Sequence, residues 1–176
     1  MNKLTLAMAL FSASTTVAMA ASNNTITFQG EVTAQTCSVT VNGVDANPMV
    51  LLPTVSSSDL DASGKTAGKT TFTLGVSGCA PGPTDIDVKT VFVANQVTAS
   101  GNLKNTGTAG NVELQLLKDA TTTSGIDLNS GVAQDGIVLK AGDTAAEHDF
   151  AVQYYANGTA AADTVVSSVQ YAVSYE

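Results

Sequence analysis

Thr25–Val32 reads TITFQGEV, and its two-residue alternation puts Ile26, Phe28, Gly30 and Val32 on one face and Thr25, Thr27, Gln29 and Glu31 on the other. A period of two is the mark of a strand with one wet and one dry side. Its β-branched and aromatic content suits a pleated surface. This strand stands ahead of the first cysteine, Cys37, and the same alternation recurs along the rest of the chain.

A second strand is expected over Gln35–Val41. Asn42-Gly43 then offers the positive-φ residues of a tight hairpin, which predicts Pro48–Leu52 as the returning strand. The Ser- and Gly-rich run from Pro53 to Gly68 reads as a loop. Thr70–Ser77 alternates with Phe72, Leu74 and Val76 in register and leads into Cys79, after which Pro81-Gly82-Pro83 ends the strand. Ile86–Val93 and Val112–Lys118 are further strands, and Ile126–Leu128 and Ile137–Leu139 are shorter candidates.

Asp149–Ala156 alternates again, and Asn157-Gly158 predicts a turn after it. The closing strand places Val165, Val169, Tyr171, Val173 and Tyr175 on one face, with Ser167 its one polar member. No sustained 3.6-residue period occurs after the first twenty residues. The expectation is an all-β domain, with about eight short strands fitting an immunoglobulin-like β-sandwich.

The chain has 176 residues. Its start, MNKLTLAMALFSASTTVAMA, sets Lys3 before an apolar run ending in Ala18-Met19-Ala20, the pattern of a secretory signal peptide over residues 1–20. Ser12, Ser14, Thr15 and Thr16 interrupt the run, which falls short of the roughly 20 apolar residues of a spanning helix. Cys37 and Cys79, the two cysteines of an exported chain, are expected to form one disulfide. Closing a loop of that length is worth about 4 kcal/mol in the chain-entropy view.

Fifteen acidic residues oppose seven lysines, and there is no arginine, so nucleic acid is excluded as a partner. His148 is the single histidine, and no GxSxG surrounds any serine, which leaves no hydrolytic triad to assemble. Asp59 with Asp61 and Asp85 with Asp87 do not continue into a DxDxDG calcium loop and read as solvated charges. Two cysteines and one histidine make no zinc site. The four tyrosines, Tyr154, Tyr155, Tyr171 and Tyr175, read as core or groove residues rather than as a carbohydrate-binding face. The Asn23 and Asn157 sequons are expected to be unused. The reading is of a non-enzymatic chain without cofactor.

The ordered landmarks TFQGEVTAQTCSV (27–39), LPTVSSSDLDASGKTAGKTTFTLGVSGC (52–79), GNVELQLLKD (110–119), HDFAVQYYA (148–156) and QYAVSYE (170–176) resemble the type 1 pilin family of chaperone–usher fimbriae. Gly30 falls at the family's donor-strand glycine and Tyr175 at its penultimate tyrosine. One departure is the stretch Ala161-Ala162-Asp163, where the family carries a glycine.

The resemblance implies a sandwich lacking its last strand, completed by donor-strand complementation. It divides the chain into a signal peptide (1–20), a donor-strand extension (21–33) and a pilin domain (34–176). Ile26, Phe28, Gly30 and Val32 would be donated, and Val169, Tyr171, Val173 and Tyr175 would border the groove that receives a neighbour's strand. The implied partners are neighbouring pilin subunits in a head-to-tail homopolymer, a periplasmic chaperone and an outer-membrane usher. The implied place is a fimbrium on the bacterial surface, reached through the periplasm, where the chain supports cell adhesion as a shaft subunit or as a minor or adaptor one. The alternative from another class is a free-standing secreted immunoglobulin-like binding protein with Ile26–Val32 paired in its own sheet.

Overall fold

The computed structural model describes residues 37–45 and 48–176. Eight strands form two antiparallel sheets: β1 (Ser38–Val41), β2 (Thr66–Ser77), β3 (Ile86–Val93), β4 (Leu103–Lys104), β5 (Gly110–Leu117), β6 (Gln134–Leu139), β7 (Ala145–Ala161) and β8 (Gln170–Tyr175). The first sheet has the order β1-β2-β7-β5-β4 and the second β6-β3-β8. Each strand turns its alternate apolar residues toward the other sheet, which is how two layers share one core.

Three rings pin the layers together. Phe72 and Phe150 are cross-strand partners in the first sheet, stacked at 5.9 Å. Phe92 of the second sheet meets Phe150 edge-on at 5.1 Å and Phe72 at 6.4 Å. Edge-to-face contacts of this kind add about 0.5–1.5 kcal/mol each beyond area burial. Leu74, Val76, Val88, Ile137 and Leu139 are fully buried around them. The expected Cys37–Cys79 disulfide is present, closing one end of the sandwich.

The outer face of the first sheet carries a buried carboxylate. Glu113 accepts hydrogen bonds from Asn102 Nδ2 (2.9 Å), Thr98 Oγ1 (3.1 Å) and Asn157 Nδ2 (2.9 Å). Three donors replace the water it loses, and the network holds the loop before β4 down on the sheet.

The structure corrects several element boundaries. The Asn42-Gly43 turn forms, with φ of 51° and 76°, and Val41 exchanges both main-chain bonds with Val44. Pro48–Leu52, however, is not a returning strand. It is extended, and among the described residues it pairs with no ladder; Val50 and Leu52 instead turn inward to pack on the core. The presumed loop 53–68 contains a 3-10 turn, Ser57–Leu60, capped by Ser56 and anchored by buried Leu60. Ile126 and Leu128 are buried plugs rather than a strand, held by Ile126 N–H to Leu116 O and Leu128 N–H to Gly101 O.

At Asn157-Gly158 the chain does not reverse. Strand β7 continues to Ala161, and because Val112 pairs with Ala156 while Gly110 pairs with Ala161, the residues between bulge. The positive φ falls on the neighbouring strand's Asn111 (58°), and Asn157 is held in place by its bond to Glu113. The ladder of β8 begins at Gln170 rather than near Val165. The preceding segment belongs to the other sheet's rim: Thr106 N–H donates to Val166 O (2.8 Å) and Ala109 N–H to Thr164 O (2.9 Å). Ala161-Ala162-Asp163 stands without a glycine; across the gap Gly107 is the close approach, where a Cβ would clash with Thr164 O.

The open cleft beside the last strand

Strand β8 is the edge of its sheet. Its inward residues Val169, Tyr171, Val173 and Tyr175 are only half-buried, although the β3 residues beside them are nearly inaccessible: Val88 at 1%, Thr90 at 0% and Phe92 at 4% exposure. Across the gap, Val50 and Leu52 are half-buried in the same way. Two apolar rims thus face each other with nothing between them among the described residues. The alternation of inward and outward side chains runs unbroken from Pro48 to Leu52 and from Val165 to Val173, so both rims have the side-chain period of strands along the gap.

Between the rims lies a cavity of about 170 Å³ floored by Phe72, Phe92, Leu114, Leu116 and Val152 and walled by Val50, Leu52, Val169 and Tyr171. An engineered apolar cavity of about 150 Å³ holds benzene, so one phenyl ring fits. Further along the same rims a wider compartment of about 490 Å³ is bounded by Val55, Leu60, Val112 and Val165. Tyr154 packs against both apolar clusters and stands at the boundary between them. Its ring is set against Gly68, where a Cβ would come within 2.8 Å of it, and burial pushes the Tyr154 phenol above its ordinary pKa.

Of the residues singled out in the sequence, the structure brings Val169, Tyr171, Val173 and Tyr175 together on one face of β8 and its approach. Ile26, Phe28, Gly30 and Val32 lie outside the described residues. The opposite rim, Val50 and Leu52, was expected only as part of a returning strand, because PMVLL is apolar at every position and hides which residues face inward. The His148 Nε2 lies 2.7 Å from Lys118 O, and its ring meets Phe150 edge-on. Asp85 pairs with Lys140 at 2.8 Å and accepts from Ala141 N–H, contacts that hold its carboxyl below the usual range. No helix among the described residues is long and apolar enough to cross a membrane.

The sequence matches the family described as fimbrial protein over residues 26–176. It is 37% identical to the F17 fimbrial protein of Escherichia coli, with both chains covered in full. It is 34% identical to the major fimbrial subunit SMF-1 of Stenotrophomonas maltophilia, over 88% of this chain and 94% of that one. The fold is similar to that of a subunit in a solved chaperone–usher pilus, with a TM-score of 0.59, 16% identity and coverage of 92% and 100%. An exported two-sheet sandwich with a sequence matched almost from end to end belongs to the fimbrial protein family, as a structural subunit of surface pili.

Proposed function

We propose that the cleft between the Pro48–Leu52 and Val165–Tyr175 rims receives the segment Thr25–Val32 of another copy of this chain, and that repetition of this joint builds the shaft of the fimbria. The observation that carries the reading is the pair of half-exposed apolar rims over an otherwise closed core. A strand laid between them would pair with β8 on one side and the 48–52 segment on the other. This is β-strand addition, of which chaperone–pilin complementation is a known instance. Ile26, Phe28 and Val32 supply side chains for the interior, and Thr27, Gln29 and Glu31 face water. Burying the three apolar groups contributes very roughly 5–8 kcal/mol before ordering costs.

The placement of Tyr154 supports one polarity. Two large residues, Ile26 and Phe28, precede Gly30 and one follows it, so the glycine passes the tyrosine boundary while Phe28 fills the benzene-sized cavity and Val32 enters the compartment at Val165. The donated strand then runs antiparallel to β8. It leaves at the Val165 end, whereas the recipient's own extension starts from Cys37 at the other, so successive bodies are spaced along an axis. A donor at one end and an acceptor at the other give a heterologous contact that does not close. Until it is filled, the cleft exposes apolar surface and an unpaired edge, which gives a periplasmic chaperone and an outer-membrane usher their task.

The test is Phe28→Asp in cells that hold the cognate chaperone and usher. The variant is expected to be recovered bound to chaperone yet to give no polymer ladder on unboiled gels, since an unpaired carboxylate cannot be placed in the apolar cavity. Normal ladders would refute the assigned donor register, and a stable folded monomer of the wild-type chain made without chaperone would refute the cleft itself.

A further inference from the structure

On the donor-strand reading, a pull on the filament would enter the subunit at its disulfide. Cys37 directly precedes β1, and Cys79 follows β2 by one residue. Cys79 N–H donates to Thr144 O (3.0 Å), tying this point to the start of β7. The start of β3 and the finish of β8 are at the same end, since Val88 pairs with Tyr175 and Ile86 with Leu139. Val165 and the wider compartment are at the opposite end.

We propose that the Cys37–Cys79 disulfide acts as a mechanical bypass, passing tension from the N-terminal extension directly into Cys79 so that residues 38–78 carry none of it. The proposal rests on the donor-strand reading above. Strand β1 has four residues and forms the edge of its sheet. A pull on its start alone would be resisted by the short register from Ser38↔Ser77 to Val41↔Leu74. Entering at Cys79, the same pull is met by the Cys79 N–H bond to Thr144 O at the start of β7 and passes through the 80–85 connection to β3, an eight-residue strand paired on both sides.

The direction of load then suits the second sheet. The donated strand is drawn out past Val165 while β3 is drawn toward Cys79, and β8 lies between them. Neighbouring strands are asked to slide along their length, which loads all the hydrogen bonds of a ladder together instead of one after another. Without the crosslink, β1 would slide out first and take Val41, Val50 and Leu52 with it. Those side chains line the cavity, so the subunit would release its neighbour's strand.

Single assembled fibres pulled between two beads, before and after phosphine reduction carried on until both cysteines accept a thiol label, test this. Oxidised fibres are expected to show no lengthening from residues 38–78. Reduced fibres should show added steps of up to ~140 Å per subunit, from the 42-position separation at about 3.4 Å per residue, and should part at lower force. Superimposable curves in the two states would overturn the bypass. Loss of subunits from reduced fibres held at zero force would also overturn it, since the bond would then be holding the fold and not the load. Failure of the donor-strand reading is seen separately, as polymerisation of the Phe28→Asp chain.

Discussion

Thr90 is the one described residue whose buried side-chain oxygen has no hydrogen-bond partner. It sits on β3 between Val88 and Phe92, fully inaccessible, where a β-branched side chain fits the pleat and a hydroxyl gains nothing. An orphaned hydroxyl costs about 1–3 kcal/mol of desolvation. Thr90→Val keeps the shape and removes the penalty, and is expected to stabilise the chain by about 1 kcal/mol, read as a raised guanidinium midpoint with unchanged slope when residues 21–33 are supplied as a peptide. A lowered midpoint would mean that the hydroxyl has a partner. Gly68 presents the opposite case. Its φ is +62°, and a Cβ would lie 2.8 Å from the Tyr154 ring and 3.0 Å from Val55. Gly68→Ala is expected to cost roughly 1–3 kcal/mol, and because it displaces Tyr154 it should also weaken binding of an added strand peptide mainly by speeding its release, measurable as a larger change in affinity than in association rate.

Elements with strong alternation were legible in the sequence: Thr70–Ser77, Ile86–Val93 and Val112–Lys118 emerge as β2, β3 and β5 within a few residues. Where reading and structure part, a long-range contact decided the matter. Asn157-Gly158 carries turn chemistry, yet Glu113 on the adjacent strand captures the Asn157 amide and β7 runs on through a bulge. Pro48–Leu52 follows a hairpin turn and still does not return along β1, because Val50 and Leu52 find the core on the far side of the gap. The inner face of β8 could be read from spacing alone. The rim opposite it, and the tyrosine that divides the cleft, are set by tertiary packing, which a local period does not encode. Gly107 is a further case: only the packed structure shows that its backbone passes so close to Thr164 O that a side chain would not fit.

For the whole molecule, the sparse charges set the pH response. Asp85, Asp119 and Asp163 are held below the ordinary aspartate value of 3.8, each led by a side-chain hydrogen bond, from Lys140, Thr121 and Thr108 respectively. A depressed carboxyl pKa contributes stability above the unfolded value that is lost as pH falls through the folded one. Lys89, raised by its bond to Glu176, and Lys140, raised by Asp85, contribute stability below 10.5 that is lost as pH climbs through their folded values. Melting temperature should therefore be level from about pH 5 to 10 and fall on both sides, by small steps because these pairs are exposed; a steep loss near neutrality would contradict it. The two uncovered rims have a further consequence for any measurement of this kind. When the strand that completes a core comes from another molecule, folding becomes a second-order reaction and stability a mass-action quantity. A hundredfold excess of free strand over its dissociation constant adds about 2.7 kcal/mol, so on the proposed donor-strand joint this subunit would have no single intrinsic melting point, only a family of them indexed by the concentration of its neighbour.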